Sequence, residues 1–310
     1  IKIEDAGAEY FVQNTTVGGY NVGAADGVAV INLGGSKYAV LQTDKGIKLD
    51  WLGAIGDGVT NDSLAIDKTL KYCKAIDSYI RLDGSKTYVT TGGHDLFVNI
   101  IGDNKTIIKL ADNGDRYIFA IRGRNLIVDK IIIDGNKSNQ TALVYSESYI
   151  GFRQYTIFQC FEGLETLTIS NSDFYDTKHG VLVIQNKLDV NVESVIDTSL
   201  FEMSIDTIQS IKIFNNNFER IGTQCITAFN LDVFRRGLSN KITYFGKFEA
   251  YNNYHYKNGT RYLGNDYGDT YVITRFNKVN IHNNTVEDEM RFMTKIAASN
   301  NINLVENNMI

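Results

Sequence analysis

Residues 167–174 read L-T-I-S-N-S-D-F, and residues 211–218 read I-K-I-F-N-N-N-F. Each stretch alternates two apolar residues, places Asn two positions on, and returns to an apolar residue three positions later. The matching positions are Leu167, Ile169, Asn171 and Phe174, then Ile211, Ile213, Asn215 and Phe218. The pattern recurs weakly at Phe248, Ala250, Asn252 and His255. It is clear again at Val279, Ile281, Asn283 and Val286, and at Ile302, Leu304, Glu306 and Met309, with Glu in the Asn slot. Ile131 and Ile133 ahead of Gly135 read as an earlier copy, and Val190, Val192 and Ser194 as a degenerate one. Alternation with a period of two is that of a strand with one buried face. The Asn slots are then separated by 23 and 21 residues in compact coils, and by 37 and 31 where the chain is longer. Periods of this size with variable insertions predict an all-β, single-stranded parallel solenoid in which each rung buries the next. Asn suits a fixed corner because it tolerates left-handed backbone, and copies stacked at the strand spacing of about 4.8 Å can bond to one another. A helical repeat is disfavoured because the runs are short, β-branched and rich in Asn.

Composition sets the outer limits. A hydrophobic content of 43% over 310 residues excludes general disorder, and no apolar run is long enough to span a membrane. A net charge of -5, with Arg and Lys scattered, argues against a nucleic-acid partner. Cys73, Cys160 and Cys225 form no C-x-x-C pair and read as small core residues. No metal-ligand spacing is present and no cofactor is expected. Proline is absent, which fits stacked strands, since each Pro would delete a ladder hydrogen bond. The chain starts on Ile1 and ends on Ile310 within the repeat pattern, so it is expected to be a piece of something longer, with further chain or a trimeric partner covering its last rung.

Residues 51–66 read W-L-G-A-I-G-D-G-V-T-N-D-S-L-A-I. Gly56, Asp57 and Gly58 predict a turn. Asp62 or Asn61 is placed to cap a helix to about Asp77, with Leu64, Ile66, Leu70 and Cys73 as its apolar positions. This segment resembles the G-A-x-G-D-G-x-x-D-D-T signature at the entrance of pectate-lyase-like right-handed β-helices, above all those of bacteriophage tailspike depolymerases. Asn61 and Ser63 stand where Asp and Thr are usual. The resemblance implies a right-handed parallel β-helix over residues 49–310, with the short helix as an N-terminal cap. It also implies that residues 1–48, Gly-rich with β-like runs at 20–22, 28–33 and 38–41, form a small neck segment.

The same resemblance implies a virion-tail protein, homotrimeric and attached to the tail through a missing N-terminal region, that binds and cleaves a capsular or O-antigen polysaccharide at the bacterial surface. Hydrolysis needs a protonated and an ionised carboxyl group, about 5 Å apart for retention or about 6.5–9.5 Å apart for inversion. With the Asn slot assigned to one corner, one sheet's strands are expected near residues 155–161, 181–185, 200–203, 225–229, 270–274 and 290–294. Glu202 then faces outward, with Asp206 in the next turn and Glu162 in the corresponding turn two rungs earlier. A second constellation is Asp173, Tyr175, Asp176 and His179, in which Asp173 and Asp176 flank a tight corner and can split their proton affinities. The catalytic candidates are therefore Glu202, Asp206, Asp173 and Asp176. Tyr155, Arg153, His179, Arg235 and Arg236 are the candidates for holding sugar, Arg because its fork pairs with carboxylates of an acidic glycan. The double-Asp, Gly-His-Gly and Arg-Ile-Lys runs of polygalacturonases are absent, so a pectin-acting enzyme is disfavoured. Two alternatives stand beside hydrolysis: a polysaccharide lyase using a base such as His179, and a non-catalytic receptor-binding tail protein.

Overall fold

The computed structural model describes residues 2–3, 8–13, 29–34, 37–41, 44–114, 117–140, 156–160, 163–178, 180–185, 208–222, 224–229, 244–258, 270–288, 294–297 and 299–310. Strands Lys2–Ile3, Ala8–Gln13, Lys37–Leu41 and Val30–Gly34, in that spatial order, form an antiparallel sheet. From Ile47 onward the described strands are parallel and fall into three stacks of nine, nine and seven. The first stack runs from Ile47–Lys48 to Ile302–Val305, the second from Asp57–Asn61 to Asn308–Met309, and the third from His94–Leu96 to Thr294–Ala297. The chain visits first, second and third sheet in turn, then returns one strand further along each.

The corner between first and second sheets explains the Asn pattern. Asn171, Asn215, Asn252, Asn283 and Glu306 all have φ between 50° and 56°. Asn215 Nδ2 donates to Asn171 Oδ1 at 3.1 Å, and Asn252 Nδ2 to Asn215 Oδ1 at 3.2 Å. Immediately after this exposed ladder lies a buried one. Asn216, Asn253 and Asn284 each donate Nδ2 to the next rung's Asn Oδ1, at 3.0, 2.9 and 3.0 Å, ending on Asn307. The same Nδ2 atoms donate to the carbonyls of Ile169, Ile213 and Ala250 at 2.9–3.0 Å. The buried ladder satisfies backbone groups freed where the strand breaks, since its Oδ1 atoms also accept the amides of Ser172, Asn216 and Asn253.

Three sequence expectations need correction. The early copy is framed on Leu126, Val128 and Lys130, because Leu126 pairs with Leu167 and Val128 with Ile169, and Lys130 is the left-handed residue at φ 55°. Ile133 instead pairs with Phe174 in the second sheet. Second, strand Thr166–Ser170 pairs directly with Ser210–Phe214, and Leu182–Gln185 directly with Ile226–Phe229. Residues 190–194 and 200–203 lie outside the described residues, and the rungs flanking them are adjacent: Asn171 and Asn215 are 44 residues apart, one rung, not two. Third, the strand expected near 290–294 begins at Thr294.

The glycine-rich segment makes the expected turn, with Asp57 Oδ1 accepting the amides of Val59 (2.9 Å) and Thr60 (2.7 Å), and Asn61 Oδ1 accepts the Ser63 amide at the helix start. Gly56 (φ 67°) and Gly58 (φ 80°) flank Asp57 within an irregular edge strand, Asp57–Asn61, of the second sheet. Asp62 occupies the helix N-cap position without capping. Its carboxylate accepts instead from the amides of Ile55 (2.7 Å) and Gly56 (3.2 Å), which pins the turn. Helix α1, Ser63–Ala75, buries Ala65, Ile66, Thr69, Leu70, Tyr72 and Cys73. Leu64 is 69% exposed, because it sits two residues, about 200° of helical rotation, from Ile66. The helix packs on Leu49–Leu52 and on Ile47–Lys48, Ile80–Arg81 and His94–Leu96, all from the first rungs. The Tyr72 hydroxyl donates to the Leu41 carbonyl and so ties the helix to the antiparallel sheet.

Inside the second sheet, Phe174, Phe218 and His255 stack face to face, with centroids 5.5 and 4.7 Å apart. His255 is fully buried with Nε2 2.8 Å from the Tyr271 hydroxyl, and burial pulls its pKa from 6.5 down to about 3. The folded chain therefore binds fewer protons here than the unfolded chain between about pH 6.5 and pH 3. The neutral ring's contribution is intact above 6.5 and is lost as pH falls through that window. Between pH 6.5 and 4.5 this amounts to about 3 kcal/mol. His255→Phe, which continues the stack, is expected to flatten the acid limb of the stability profile relative to the parent. Urea titrations at pH 4.5 and pH 7 read the difference, and equal slopes for the two proteins would refute it.

Candidate active site

Along each second-sheet strand the middle residue points into the core and its two neighbours point out. Registers Ile132–Asp173–Asn217–Tyr254 and Asp134–Tyr175–Glu219–Tyr256 thus form two parallel columns on the outer face. A third column stands at the next corner, where Asp176, Arg220, Lys257 and Asp288 all take φ between 51° and 55°. Asp134, Asp173, Tyr175, Asp176, Glu219 and Arg220 are all half-buried there.

Asp173 and Asp134 are the unusual acids. Burial raises the Asp173 pKa, and no other group counters or adds to that rise. Burial also raises Asp134, reinforced by the charge of Asp176 and opposed by the Asn136 amide, Lys109 and Arg220. The Asn136 amide donates to Asp134 Oδ1 at 2.7 Å. Asp134 and Asp173 lie on adjacent strands, two residues apart along the strand direction. Strand spacing and rise place their Cα atoms about 8 Å apart.

Asp176 has a different task. Arg220 donates to it through Nε (2.6 Å) and a terminal nitrogen (2.9 Å), a two-pronged grip that fixes its position. Arg220 also donates to Glu219, and its own pKa rises, chiefly through the bond to Asp176. Tyr175, between Asp173 and Asp176 in sequence, is pushed up to about 12 by burial and by the charges of Asp134 and Asp176, so it stays a phenol. Beside Asp173, Asn217 presents a buried Oδ1 that has no hydrogen-bond partner among the described residues. The cluster therefore offers two carboxyl groups of raised proton affinity, a phenol donor, a free amide acceptor and a fixed guanidinium.

Of the residues expected from sequence, Asp173, Tyr175 and Asp176 come together here. Asp173's shift arises from burial and not from Asp176, so these two do not split their affinities against each other. Glu202, Asp206, Glu162, Arg153, Tyr155, His179, Arg235 and Arg236 lie outside the described residues. The described third-sheet positions that alternate with the core-facing ones are Asp95, Ala120, Gln159, Val183, Thr227, Val272 and Lys295, then Gln185, Phe229, Thr274 and Ala297; the carboxylate among them, Asp95, is paired with Arg122 at 3.1 Å. Asp134, Asn217 and Arg220 were missed because they come from the preceding and following rungs. A correct frame on Lys130 would have exposed Asp134 as the partner of Tyr175.

No family model and no curated protein sequence matches this chain. Among solved structures, it is similar to the pre-mature gene product 12 of bacteriophage phi29, with a TM-score of 0.59 and 16% identity over 85% of this chain and 33% of that one. It is also similar to WceF of Pantoea stewartii, described as a glycan biofilm modifying enzyme with a bacteriophage tailspike-like parallel β-helix fold. That match has a TM-score of 0.55 and 14% identity over 97% of this chain and 43% of that one. The chain thus spans less than half the length of either structure. Three parallel sheets, asparagine corners and these likenesses make its fold a parallel β-helix.

Proposed function

We propose that this chain is the right-handed β-helix of a phage tailspike-like depolymerase that cleaves a bacterial surface polysaccharide by hydrolysis. The observation that carries this reading is the pair Asp173 and Asp134: two half-buried carboxyl groups of raised pKa on one outer face, about 8 Å apart at the backbone. Side chains leaving one face in parallel keep roughly their backbone spacing, and inversion needs carboxyl groups about 6.5–9.5 Å apart to admit a water. Asp173, whose rise nothing opposes, protonates the glycosidic oxygen as the bond to the anomeric carbon breaks. Asp134, whose anion is supported by the Asn136 amide, Lys109 and Arg220, takes a proton from the water attacking the opposite face of the sugar. Tyr175, half-buried on the same face, is placed to hold a sugar hydroxyl. Homotrimer assembly, attachment to a phage tail and display at the bacterial surface belong to the same proposal, as do Arg153, Tyr155, His179, Arg235 and Arg236 as walls of the glycan groove.

Incubation with purified capsules from a panel of encapsulated bacteria tests it, following reducing ends and ultraviolet absorbance together. New reducing ends without absorbance are expected. Absorbance would mean β-elimination and a lyase. Tight binding with neither signal would leave a glycan-recognising spike and remove the catalytic reading.

A further inference from the structure

Where α1 meets the first rungs, four side chains outside the carboxylate cluster form an unbroken line. His94 Nδ1 lies 2.6 Å from Asp67 Oδ1, and His94 Nε2 lies 2.5 Å from Thr90 Oγ1. Thr90 Oγ1 lies 3.1 Å from Ser63 Oγ. Ser63 and Asp67 are four apart on α1 and so share a face, while Thr90 ends a second-sheet strand and His94 begins the third sheet. His94 and Thr90 are buried, and Ser63 is the half-buried end of the line.

The proton order along this line is determined by its ends. The carboxylate on Nδ1 selects the imidazole tautomer with the proton there, which leaves Nε2 as an acceptor. Thr90 must therefore donate to Nε2. Thr90 Oγ1 already accepts the Gly92 amide at 3.0 Å, and its remaining lone pair accepts the Ser63 proton. Ser63 Oγ in turn accepts the Thr91 amide at 2.9 Å. Thr91 Oγ1 also lies 3.1 Å from Ser63 Oγ. With the Thr91 amide and hydroxyl both donating to Ser63, the Ser63 proton goes to Thr90 and the line runs from Ser63 toward the histidine. A latch joining α1 to the strands accounts for a buried histidine, but not for this direction or for its ending on the accessible hydroxyl.

Donors for a developing oxyanion stand beside that hydroxyl. α1 has no side-chain N-cap, because Asp62 is turned toward Ile55 and Gly56. The Ser63 amide is taken by Asn61 Oδ1, and the first-turn amides of Leu64 and Ala65 have no intrahelical acceptor. They and the positive end of the helix face the region ahead of Ser63.

We propose that Ser63 is the nucleophile of a second site, activated through Thr90 by His94 and Asp67, which hydrolyses small carboxylic esters. Ser63 Oγ bonds to the ester carbonyl carbon as its proton passes to Thr90 and Thr90's proton passes to His94 Nε2. The alcohol departs with a proton returned along the same line, leaving an acyl ester on Ser63. Water then attacks that ester with its proton taken by the same route, releasing the carboxylic acid and restoring Ser63. This site does not depend on the polysaccharide reading.

The test uses the 310-residue chain with 4-nitrophenyl acetate and with a fluorophosphonate that esterifies activated serines. The phosphonyl adduct is expected on the peptide carrying Ser63, and Ser63→Ala is expected to abolish both the adduct and nitrophenol release. His94→Gln is expected to slow labelling roughly a hundredfold. Asp67→Asn, at a position 45% exposed where the substitution leaves the core untouched, is expected to slow it at least tenfold. Absence of the adduct from Ser63, or labelling no faster than in the urea-unfolded chain, would reduce the line to a structural latch.

Discussion

Asn253→Ala is expected to destabilise the folded chain by about 4 kcal/mol, while Asn252→Gly, one residue away, changes stability by less than about 1 kcal/mol. The two side chains have opposite surroundings. Asn253 is 2% exposed, donates to Ile213 O and Asn284 Oδ1, and accepts from both the amide and the Nδ2 of Asn216. Truncation removes the side-chain partner of the Ile213 carbonyl and the Asn216 amide. It also takes one bond each from Asn216 Nδ2 and Asn284 Oδ1, which keep Ile169 O and the Asn253 amide. A buried group left unpaired costs about 1–3 kcal/mol, offset in part where a water can enter. Asn252 lies on the exposed ladder at φ 54°, where glycine is at ease and the lost side-chain bonds face solvent. Urea titration followed by circular dichroism compares the two. Equal losses would mean that the inner ladder is not what holds the rungs together. A broader transition in Asn253→Ala is also expected, because neighbouring rungs of a solenoid support each other only locally.

That pair shows how far the sequence could be read. Asn215, Asn252 and Asn283 stood out because an alternating apolar pair ends on each, and left-handed corners favour Asn. Asn216, Asn253 and Asn284, one position further on, carry no pattern of their own, since only burial separates a ladder inside the core from one on the surface. Register failed where alternation fails. Ile131, Ile132 and Ile133 are all apolar, so a strand frame slipped past the corner at Lys130 without any change in pattern. The single 44-residue rung from Asn171 to Asn215 was divided in two because V-N-V-E-S within it mimics a copy of the repeat. In the site, Asp173 and Asp176 were legible as acids close in sequence around one corner. Asp134 and Arg220 were not, because a solenoid assembles its outer face from residues a rung apart, 44 positions in the case of Arg220 and Asp176.

Asp173→Asn is expected to lower the rate of polysaccharide cleavage about a thousandfold while leaving glycan binding within about threefold. The amide keeps the carboxyl group's size and removes the transferable proton. Burial is what raises the Asp173 pKa, so a neutral side chain sits there without strain, and the variant is expected to fold as well as the parent. Asp134→Asn removes the base and is expected to fall by a similar factor. The double variant is expected to be little worse than either single one, because acid and base act in one transition state. Asp176→Asn is the contrasting case. Its side chain is held by two bonds from Arg220, so it serves as an anchor. Its loss frees Arg220, and the expected change is mainly in the substrate concentration giving half-maximal rate. Reducing-end assays on purified capsule, with binding measured separately on the same variants, distinguish these outcomes. Cleavage by Asp173→Asn within threefold of the parent would remove the second-sheet cluster from the chemistry. Glu202 and Asp206 would then be the acids to substitute, since the third-sheet face described here carries no unpaired carboxylate that could take over.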